Sequence, residues 1–178
     1  MTAVERCLSG TVRIIDVRDD RTARLVRRLQ VAAYSTEARQ IGNTNLPPLR
    51  NTIGDIQDSG CLSLGVYRGA KLIGCLMFKR SGGAIDVHRL MVSPSNFRSG
   101  IATQLLHYLG QHEPGSPVIV TAAARNRAAI MLYRKWGFRK KGCLLARGGV
   151  ALVQLKLESR ANEQDRLDPS GAGAALGA

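Results

Sequence analysis

A short loop between a predicted strand and a predicted helix has the residue types of a phosphate-binding site. Residues 84–92 read as a strand, and the next helix opens at Gly100, two residues after Arg98. The first N–H groups of a helix lack partners within the helix, and the helix dipole makes this end positive. Gly100 and the small Ala102 leave the backbone open to a ligand, and Arg98 adds a positive charge. Residues 98–103 therefore predict a site for a phosphate or pyrophosphate group.

Two groups that can accept a proton lie two residues apart on the strand before this loop. Asp86 and His88 share one face of that strand, because successive side chains alternate between faces. An imidazole has an ordinary pKa near neutrality, and a carboxylate is already ionised there. Either side chain is therefore a candidate base, and either also fits a structural hydrogen bond on a half-buried strand.

The elements that must position these residues are a mixture of strands and helices. Alternating or β-branched apolar residues predict strands, and apolar residues at helical spacing predict helices. We predict strands at 11–17, 61–67, 71–79, 84–92, 118–121, 138–145 and 150–158, and helices at 21–34, 49–57, 100–112 and 126–136. Residues 42–48, with two adjacent prolines, are predicted to be non-helical. The strand–helix–strand unit around 84–121 implies one parallel pair in an otherwise largely antiparallel sheet, so the fold class is α/β.

Length and composition favour one globular domain. The chain has 178 residues, and we assign 11–159 to the domain, 1–10 to a flexible N-terminus and 160–178 to a disordered Gly/Ala-rich tail. No apolar run approaches the length that crosses a bilayer, and the start lacks the apolar stretch of a secretory signal. We therefore expect a cytoplasmic protein without a membrane partner. The four cysteines show no metal-ligand spacing, so we expect no metal.

The charge of the chain predicts a polyanionic partner. Lys and Arg number 26 against 13 Asp and Glu, which gives a formal net charge of +13. Such an excess attracts nucleic acid, a membrane surface or a multiply phosphorylated cofactor. The basic residues are scattered, and one Trp, four Tyr and three Phe provide few platforms for stacking bases. These two features disfavour nucleic acid, although the charge alone does not choose among the partners.

Two segments carry a pattern that extends beyond the loop. The loop taken alone also fits an ordinary strand-to-helix turn. Residues 90–106 read LMVSPSNFRSGIATQLL, and residues 126–138 read NRAAIMLYRKWGF. The first resembles the acetyl-CoA-binding motif of the GNAT family of N-acetyltransferases, in which Arg or Gln precedes Gly by three residues and Gly or Ala by five. The second resembles the second signature of that family. One departure is Phe97, which stands where the family has Gln or Arg.

The resemblance, which covers residues 11–158, implies a GNAT fold with helices on both faces of the sheet and one parallel strand pair splayed for acetyl-CoA. Backbone groups of Leu90, Met91 and Val92 would then pair with the pantetheine arm of acetyl-CoA, and Asn126 would reach the same arm. The pyrophosphate would be held by Arg98, Ser99, Gly100, Ile101, Ala102 and Thr103.

The resemblance also implies catalytic roles. Tyr133 matches the tyrosine of the family that donates a proton to the leaving sulfur. Asp86 and His88 align with positions that supply the base in some family members. Residues 34–59 and 145–150 lie where the family shapes its acceptor site, and the candidate acceptor contacts there are Tyr34, Glu37, Arg39, Asn43 and Asn45.

The predicted function is therefore transfer of an acetyl group from acetyl-CoA to a primary amine of a small molecule or peptide by direct attack. A homodimer is left open, because dimers are common in the family. Two alternatives are an acyl-CoA-binding regulatory module without turnover and a basic nucleic-acid-associated protein. Release of coenzyme A with an amine separates the first alternative from the enzyme, and steep salt dependence of nucleic-acid binding would favour the second.

Overall fold

The computed structural model describes residues 10–146 and 149–159. The strands are β1 (Thr11–Ile14), β2 (Leu62–Arg68), β3 (Lys71–Ser81), β4 (Ala84–Val92), β5 (Val118–Ala123), β6 (Arg139–Leu145) and β7 (Ala151–Leu157). The helices are α1 (Asp20–Ile41), α2 (Pro47–Arg50), α3 (Ile53–Gln57), α4 (Ile101–His112) and α5 (Arg127–Lys135), with a 3-10 turn at Pro94–Asn96. The predicted flexible N-terminus up to residue 9, the predicted tail from residue 160 and residues 147 and 148 of the last hairpin lie outside the described residues.

The seven strands form one sheet in the order β1-β2-β3-β4-β5-β7-β6. Every neighbouring pair is antiparallel except β4 and β5, which are parallel. Apolar side chains of α4 and α5 pack on one face, and those of α1 and α3 pack on the other. The predicted α/β class, with a mostly antiparallel sheet and helices on both faces, is confirmed.

Helix α1 is longer than the predicted helix at 21–34. The carboxylate of Asp19 caps its start by accepting the N–H of Thr22 (2.8 Å), and the helix continues to Ile41. Gly42, with φ of 70°, ends it in the left-handed conformation that favours glycine. Within the described part of the chain, no helix is both long enough and apolar enough to cross a membrane.

The first predicted strand, 11–17, is shortened to Thr11–Ile14 by a local side-chain turn. The carboxylate of Asp16 accepts the backbone N–H of Arg18 (2.9 Å), and this bond competes with the strand ladder. The chain therefore leaves the sheet edge before it enters α1.

The predicted helix at 49–57 is instead two short helices. Thr52 and Asp55 form a capping box, which starts a new helix in the middle of the predicted one. The predicted non-helical segment 42–48 is also partly wrong, because Pro47 and Pro48 occupy the first positions of α2. Proline is tolerated there, since the first N–H groups of a helix need no partner within it. The buried side chain of Gln30 donates to the carbonyl of Pro48 (2.6 Å) and so fixes α2 against α1.

The close contact between β3 and α4 depends on a glycine. A Cβ atom at Gly74 would lie 2.4 Å from Cγ2 of Ile101 and 3.3 Å from a methyl carbon of Leu105. Replacing Gly74 with alanine is expected to lower the free energy of unfolding by about 1–3 kcal/mol, because the added methyl group would push α4 away from the sheet. Urea denaturation measures this loss. The matched variant Gly142→Ala, where a Cβ meets nothing within 4 Å, should change stability by less than about 0.5 kcal/mol. Equal effects of the two substitutions would contradict the packing argument.

Candidate functional site

The sheet opens between β4 and β5. The two strands pair over three residues only, Ile85–Val87 with Val118–Val120. Residues 121–123 of β5 continue beside β7, whereas no described strand lies beside β4 on that side after Val87. A bulge against β3 coincides with the opening, since Met77 pairs with Arg89 and the next residue of β3 pairs with Val87. The extra residue of a bulge bends its strand, and this bend fits the divergence of β4 from β5.

Past the opening, one edge of β4 carries backbone groups without a neighbouring strand. The N–H of Ser93 donates to the carbonyl of Ile73 in β3 (2.8 Å). Backbone groups alternate sides along an antiparallel strand, so those of Met91 are also directed at β3. Those of Leu90 and Val92 are directed to the open side. Of the three strand residues predicted to pair with the acetyl donor, these two therefore present N–H and C=O groups to the gap.

The predicted phosphate loop forms the N-terminus of α4. Arg98, with φ of 62°, is the only residue other than glycine that has a positive φ within the described part of the chain. Gly100, with φ of 82°, occupies the cap position, and no side chain caps the helix. The N–H groups of residues 101–103 are therefore left to a ligand or to solvent. A Cβ at Gly100 would meet nothing within 4 Å, so the approach to these groups is open.

The side chains of the loop have different roles. The hydroxyl of Ser99 donates to the carbonyl of Asn96 (2.6 Å), and Ile101 is buried in the core. Arg98 and Thr103 are exposed, whereas Ala102 is half-buried. The loop thus contributes its backbone and the charge of Arg98, while Ser99 and Ile101 hold the turn and the helix in place.

A cavity of about 260 Å³ lies where the two strands separate. Residues from α1, β4, β5 and α5 line it, together with the segment before α2 and the connection between β6 and β7. The polar and central part of the lining comprises Tyr34, Glu37, Val87–Leu90, Thr121–Ala123, Asn126 and Tyr133. An apolar wall is formed by Leu46–Pro48, Val150 and Leu152. About 13 Å of β4, from His88 to Val92, connects this cavity to the phosphate loop.

Tyr133 combines burial with access to the cavity. It is 6% exposed, and its ring packs against Phe138 with 5.3 Å between ring centroids. Burial raises the pKa of the phenol, and the nearby Tyr34 and Glu37 add to the rise. Tyr133 therefore keeps its proton at neutral pH and can act as a hydrogen-bond donor to groups in the cavity.

The predicted base candidates are separated by the bulge. Nε2 of His88 lies 3.4 Å from a carboxylate oxygen of Asp86, so the two share a face as predicted. His88 borders the cavity, whereas Asp86 lies within the paired segment of β4 opposite Ile119 and does not line it. The structure thus brings His88 to the site and leaves Asp86 as its neighbour.

Two of the five candidate acceptor contacts reach the cavity. Tyr34 and Glu37 line it from α1, whereas Arg39, Asn43 and Asn45 do not. The closeness of Glu37 to Tyr133 was missed from the sequence. One signal was present: Glu37 lies four residues before the buried Ile41, so a charged side chain stands on the apolar face of an amphipathic helix.

Asn126 has a defined place at the start of α5. Its side-chain oxygen accepts the N–H of Ala129 (3.0 Å), which caps the helix. The same side chain lines the cavity. Asn126, the first residue of the second sequence signature, therefore both caps α5 and lines the cavity.

Residues 60–140 match the family model of the acetyltransferase (GNAT) domain. This match identifies a GNAT acetyltransferase domain in the chain. The family expected from residues 90–106 and 126–138 is confirmed. The matched range contains β2 to α5 and so includes the open strand edge, the phosphate loop and Tyr133 of the GNAT domain.

Known proteins resemble this GNAT domain in sequence and in fold. The UPF0157 protein YqkA of Bacillus subtilis is 33% identical over 131 residues, which cover 73% of this chain. The chain spans 38% of the length of that relative.

Two solved structures share the fold at lower identity. The ribosomal-protein-S18-alanine N-acetyltransferase of Escherichia coli is 15% identical, with a TM-score of 0.66 over 93% of this chain and 99% of that one. A Bacillus anthracis protein described as a streptothricin acetyltransferase was solved in complex with acetyl coenzyme A. It is also 15% identical, with a TM-score of 0.50 over 55% of this chain and 62% of that one.

Proposed function

We propose that this chain transfers an acetyl group from acetyl-CoA to a primary amine of a small molecule or peptide by direct attack. The observation that carries the proposal is the unpaired edge of β4, which runs from the uncapped start of α4 to the cavity that Tyr133 lines. A set of N–H groups that can bind phosphate, a free strand edge and a buried proton donor thus lie along one path. That order matches the pyrophosphate, the amide-containing arm and the thioester of acetyl-CoA.

In this proposal the backbone does most of the binding of acetyl-CoA. The N–H groups of residues 98–103 and the charge of Arg98 hold the pyrophosphate. The outward backbone groups of Leu90 and Val92 pair with the amides of the pantetheine arm, and Asn126 stands beside the same arm. Phe97 is 43% exposed and supplies no polar group, so binding depends on the loop backbone and on Arg98.

The N–H of Leu90 and the phenol of Tyr133 serve the chemical step. The amine nitrogen forms a bond to the acyl carbon, negative charge develops on the acyl oxygen, and the bond from carbon to sulfur then breaks. The outward N–H of Leu90 is the donor that we assign to the developing oxyanion. The hydroxyl of Tyr133 provides the proton for the departing sulfur.

The raised pKa of Tyr133 determines how this proton moves. A thiol has an ordinary pKa of about 8.5, which is lower than that of the Tyr133 phenol. Transfer of the phenol proton to a free thiolate is therefore unfavourable. The nitrogen, however, becomes acidic once it is bonded to carbon. Its surplus proton returns to the oxygen of Tyr133 as the sulfur takes the phenol proton, and Tyr133 ends the cycle unchanged. The products are an amide and the free thiol of coenzyme A.

A base must also take one proton from the acceptor, because an aliphatic amine is mostly an ammonium ion at neutral pH. His88 borders the cavity and is paired with Asp86, so this pair provides one route for the proton. In that route His88 takes the proton and Asp86 stabilises the resulting imidazolium.

The proposal is tested by incubating the chain with acetyl-CoA and a panel of primary amines. We expect release of free thiol above the amine-free background, and an acceptor heavier by one acetyl group in mass spectrometry. Calorimetry with coenzyme A supplies the binding measurement. Binding of coenzyme A without thiol release from any amine would refute the enzyme and support the regulatory module. Absence of binding would refute both.

A further inference from the structure

Glu37 is a carboxyl group in the wall of the cavity, and no described residue forms an ion pair with it. It lies one helical turn after Tyr34 on α1 and is half-buried. The chain has twice as many Lys and Arg as Asp and Glu, 26 against 13. Even so, no basic side chain of the described residues forms an ion pair with Glu37. Partial burial of a carboxylate without a counter-ion disfavours folding, so the needs of the fold do not explain this residue.

The carboxyl of Glu37 shares the cavity wall with Asn126 and with the phenols of Tyr34 and Tyr133. The side chain of Asn126, whose oxygen accepts the N–H of Ala129, lies beside Glu37 and lowers the pKa of its carboxyl group. Burial raises the pKa of Tyr34 and of Tyr133, which line the same cavity, and the charge of Glu37 adds to both rises. Burial raises the pKa of Glu37 itself. A carboxylate with a raised pKa is a stronger base than an exposed one.

Among the described residues, the other charged side chains beside this part of the cavity have partners elsewhere. His88 and Arg89 line it from β4. The guanidinium of Arg89 donates to the side-chain oxygen of Asn51 (3.0 Å). Arg125, which precedes α5, donates to the carbonyl of Ile41 at the end of α1 (3.3 Å). The carboxylate is therefore available to a cation that enters the cavity.

We propose that Glu37 binds the acceptor amine as its ammonium ion and takes the proton that must leave before attack. The inference rests on the acetyl transfer proposed above, and it assigns the base to α1 rather than to the pair of Asp86 and His88. It also narrows the acceptor class to aliphatic amines, which carry a charge at neutral pH. The apolar wall of Leu46–Pro48 then faces the hydrocarbon part of the acceptor.

The proton balance of this step is complete. The ammonium ion gives one proton to the carboxylate of Glu37, which becomes a neutral carboxylic acid and later releases the proton to water. The nitrogen keeps two hydrogens and gains the lone pair that attacks the acyl carbon. One of these two hydrogens passes to the oxygen of Tyr133 as the sulfur departs, and the other stays in the amide.

The decisive variant is Glu37→Gln, assayed with butylamine as the acceptor. We expect kcat/KM at pH 7 to fall about 1000-fold, within the range typical of losing a general base. The variant needs an amine that is already neutral, so its kcat/KM should rise about tenfold per pH unit up to about pH 10. Above the pKa of Glu37, the wild-type value should change far less with pH. Aniline, which is uncharged at neutral pH, should not distinguish the two proteins.

Stability separates this role from a structural one. Folding raises the pKa of the Glu37 carboxyl, so the folded state binds more protons at pH values around its unfolded and folded pKa. Its contribution to the free energy of unfolding therefore falls as pH rises through those two pKa values. Glu37→Gln removes this penalty, and its thermal unfolding midpoint at pH 7 should equal or exceed that of the wild type. Asp58→Asn, which removes one exposed carboxylate outside the cavity, should leave kcat/KM and its pH profile unchanged.

Three outcomes would overturn the assignment. The first is a wild-type rate and pH profile in Glu37→Gln. The second is a loss of rate that high pH does not recover. The third is an equally steep, pH-rescued loss in His88→Gln with Glu37→Gln unaffected, which would give the role to the strand pair.

A binding measurement distinguishes failure of this inference from failure of the proposed acetyl transfer. Calorimetric titration of butylamine into the complex with coenzyme A requires no chemistry. Weaker binding to Glu37→Gln than to the wild type would support recognition of the ammonium ion even if no amine is acetylated. Equal binding to both proteins, or no binding to either, would overturn it. If the wild type acetylates butylamine and both proteins bind butylamine equally, the acetyl transfer is supported and the role of Glu37 is refuted.

Discussion

Replacing Tyr133 with phenylalanine is expected to lower kcat for amine acetylation about 100-fold or more, the effect typical of losing a general acid. The phenyl ring keeps its packing against Phe138, so the fold and the cavity are preserved. The affinity for coenzyme A should stay the same, because the backbone of the loop and of β4 supplies that binding. Stopped-flow measurement of thiol release gives kcat, and calorimetry gives the affinity.

The control for this variant is Tyr108→Phe. Tyr108 lies on α4, stacks on His112 and does not line the cavity. Its substitution should change neither kcat nor affinity. A Tyr133→Phe enzyme with a normal kcat would mean that the sulfur leaves with a proton from water or as the thiolate, and Tyr133 would then be a packing residue.

Replacing Thr103 with glutamate is expected to weaken binding of coenzyme A about 100-fold. A carboxylate about 6 Å from a pyrophosphate charge costs about 2–3 kcal/mol at an effective dielectric constant near 20. The same carboxylate suits the first turn of α4, where negative charge interacts favourably with the helix dipole. The variant should therefore bind coenzyme A more weakly while it unfolds at an equal or higher temperature, a combination that general damage does not produce.

Thr103→Gln is the matched variant without the charge. It has nearly the same shape as glutamate at an exposed position, so its affinity for coenzyme A should stay close to that of the wild type. Raising the salt concentration should narrow the difference between the two variants, since screening weakens the repulsion. Equal affinities of the glutamate and glutamine variants at low salt would show that the pyrophosphate binds elsewhere.

Local sequence patterns predicted most of the elements because each pattern has a local physical cause. The strand at 84–92 ends before Pro94, and α5 is capped by Asn126, so both have boundaries that short-range chemistry sets. The break at Thr52 was also encoded, as a capping box with Asp55, but the apolar periodicity across it predicted one helix. Where two local signals compete, the hydrogen bonds of the cap decide the boundary.

The parts that could not be predicted depend on contacts between distant segments. Nothing in the sequence around His88 marks a bulge, because the bulge belongs to the pairing of β4 with β3. The approach of Glu37 to Tyr133 depends on how α1 and α5 cross the sheet from opposite faces. The family signatures located the proposed donor site because the recognition that we propose there is local and mostly made by the backbone. The proposed acceptor site is assembled from α1, β4 and the last hairpin, and no short motif encodes such an assembly.

The three-residue ladder between β4 and β5 has a mechanical consequence. It divides the sheet into a four-stranded block and a three-stranded block that share few direct hydrogen bonds. A molecule that lies along the free edge of β4 and also touches α5 ties the two blocks together. In the proposed mode of binding, acetyl-CoA therefore joins the two blocks at the cavity in which the acceptor must fit.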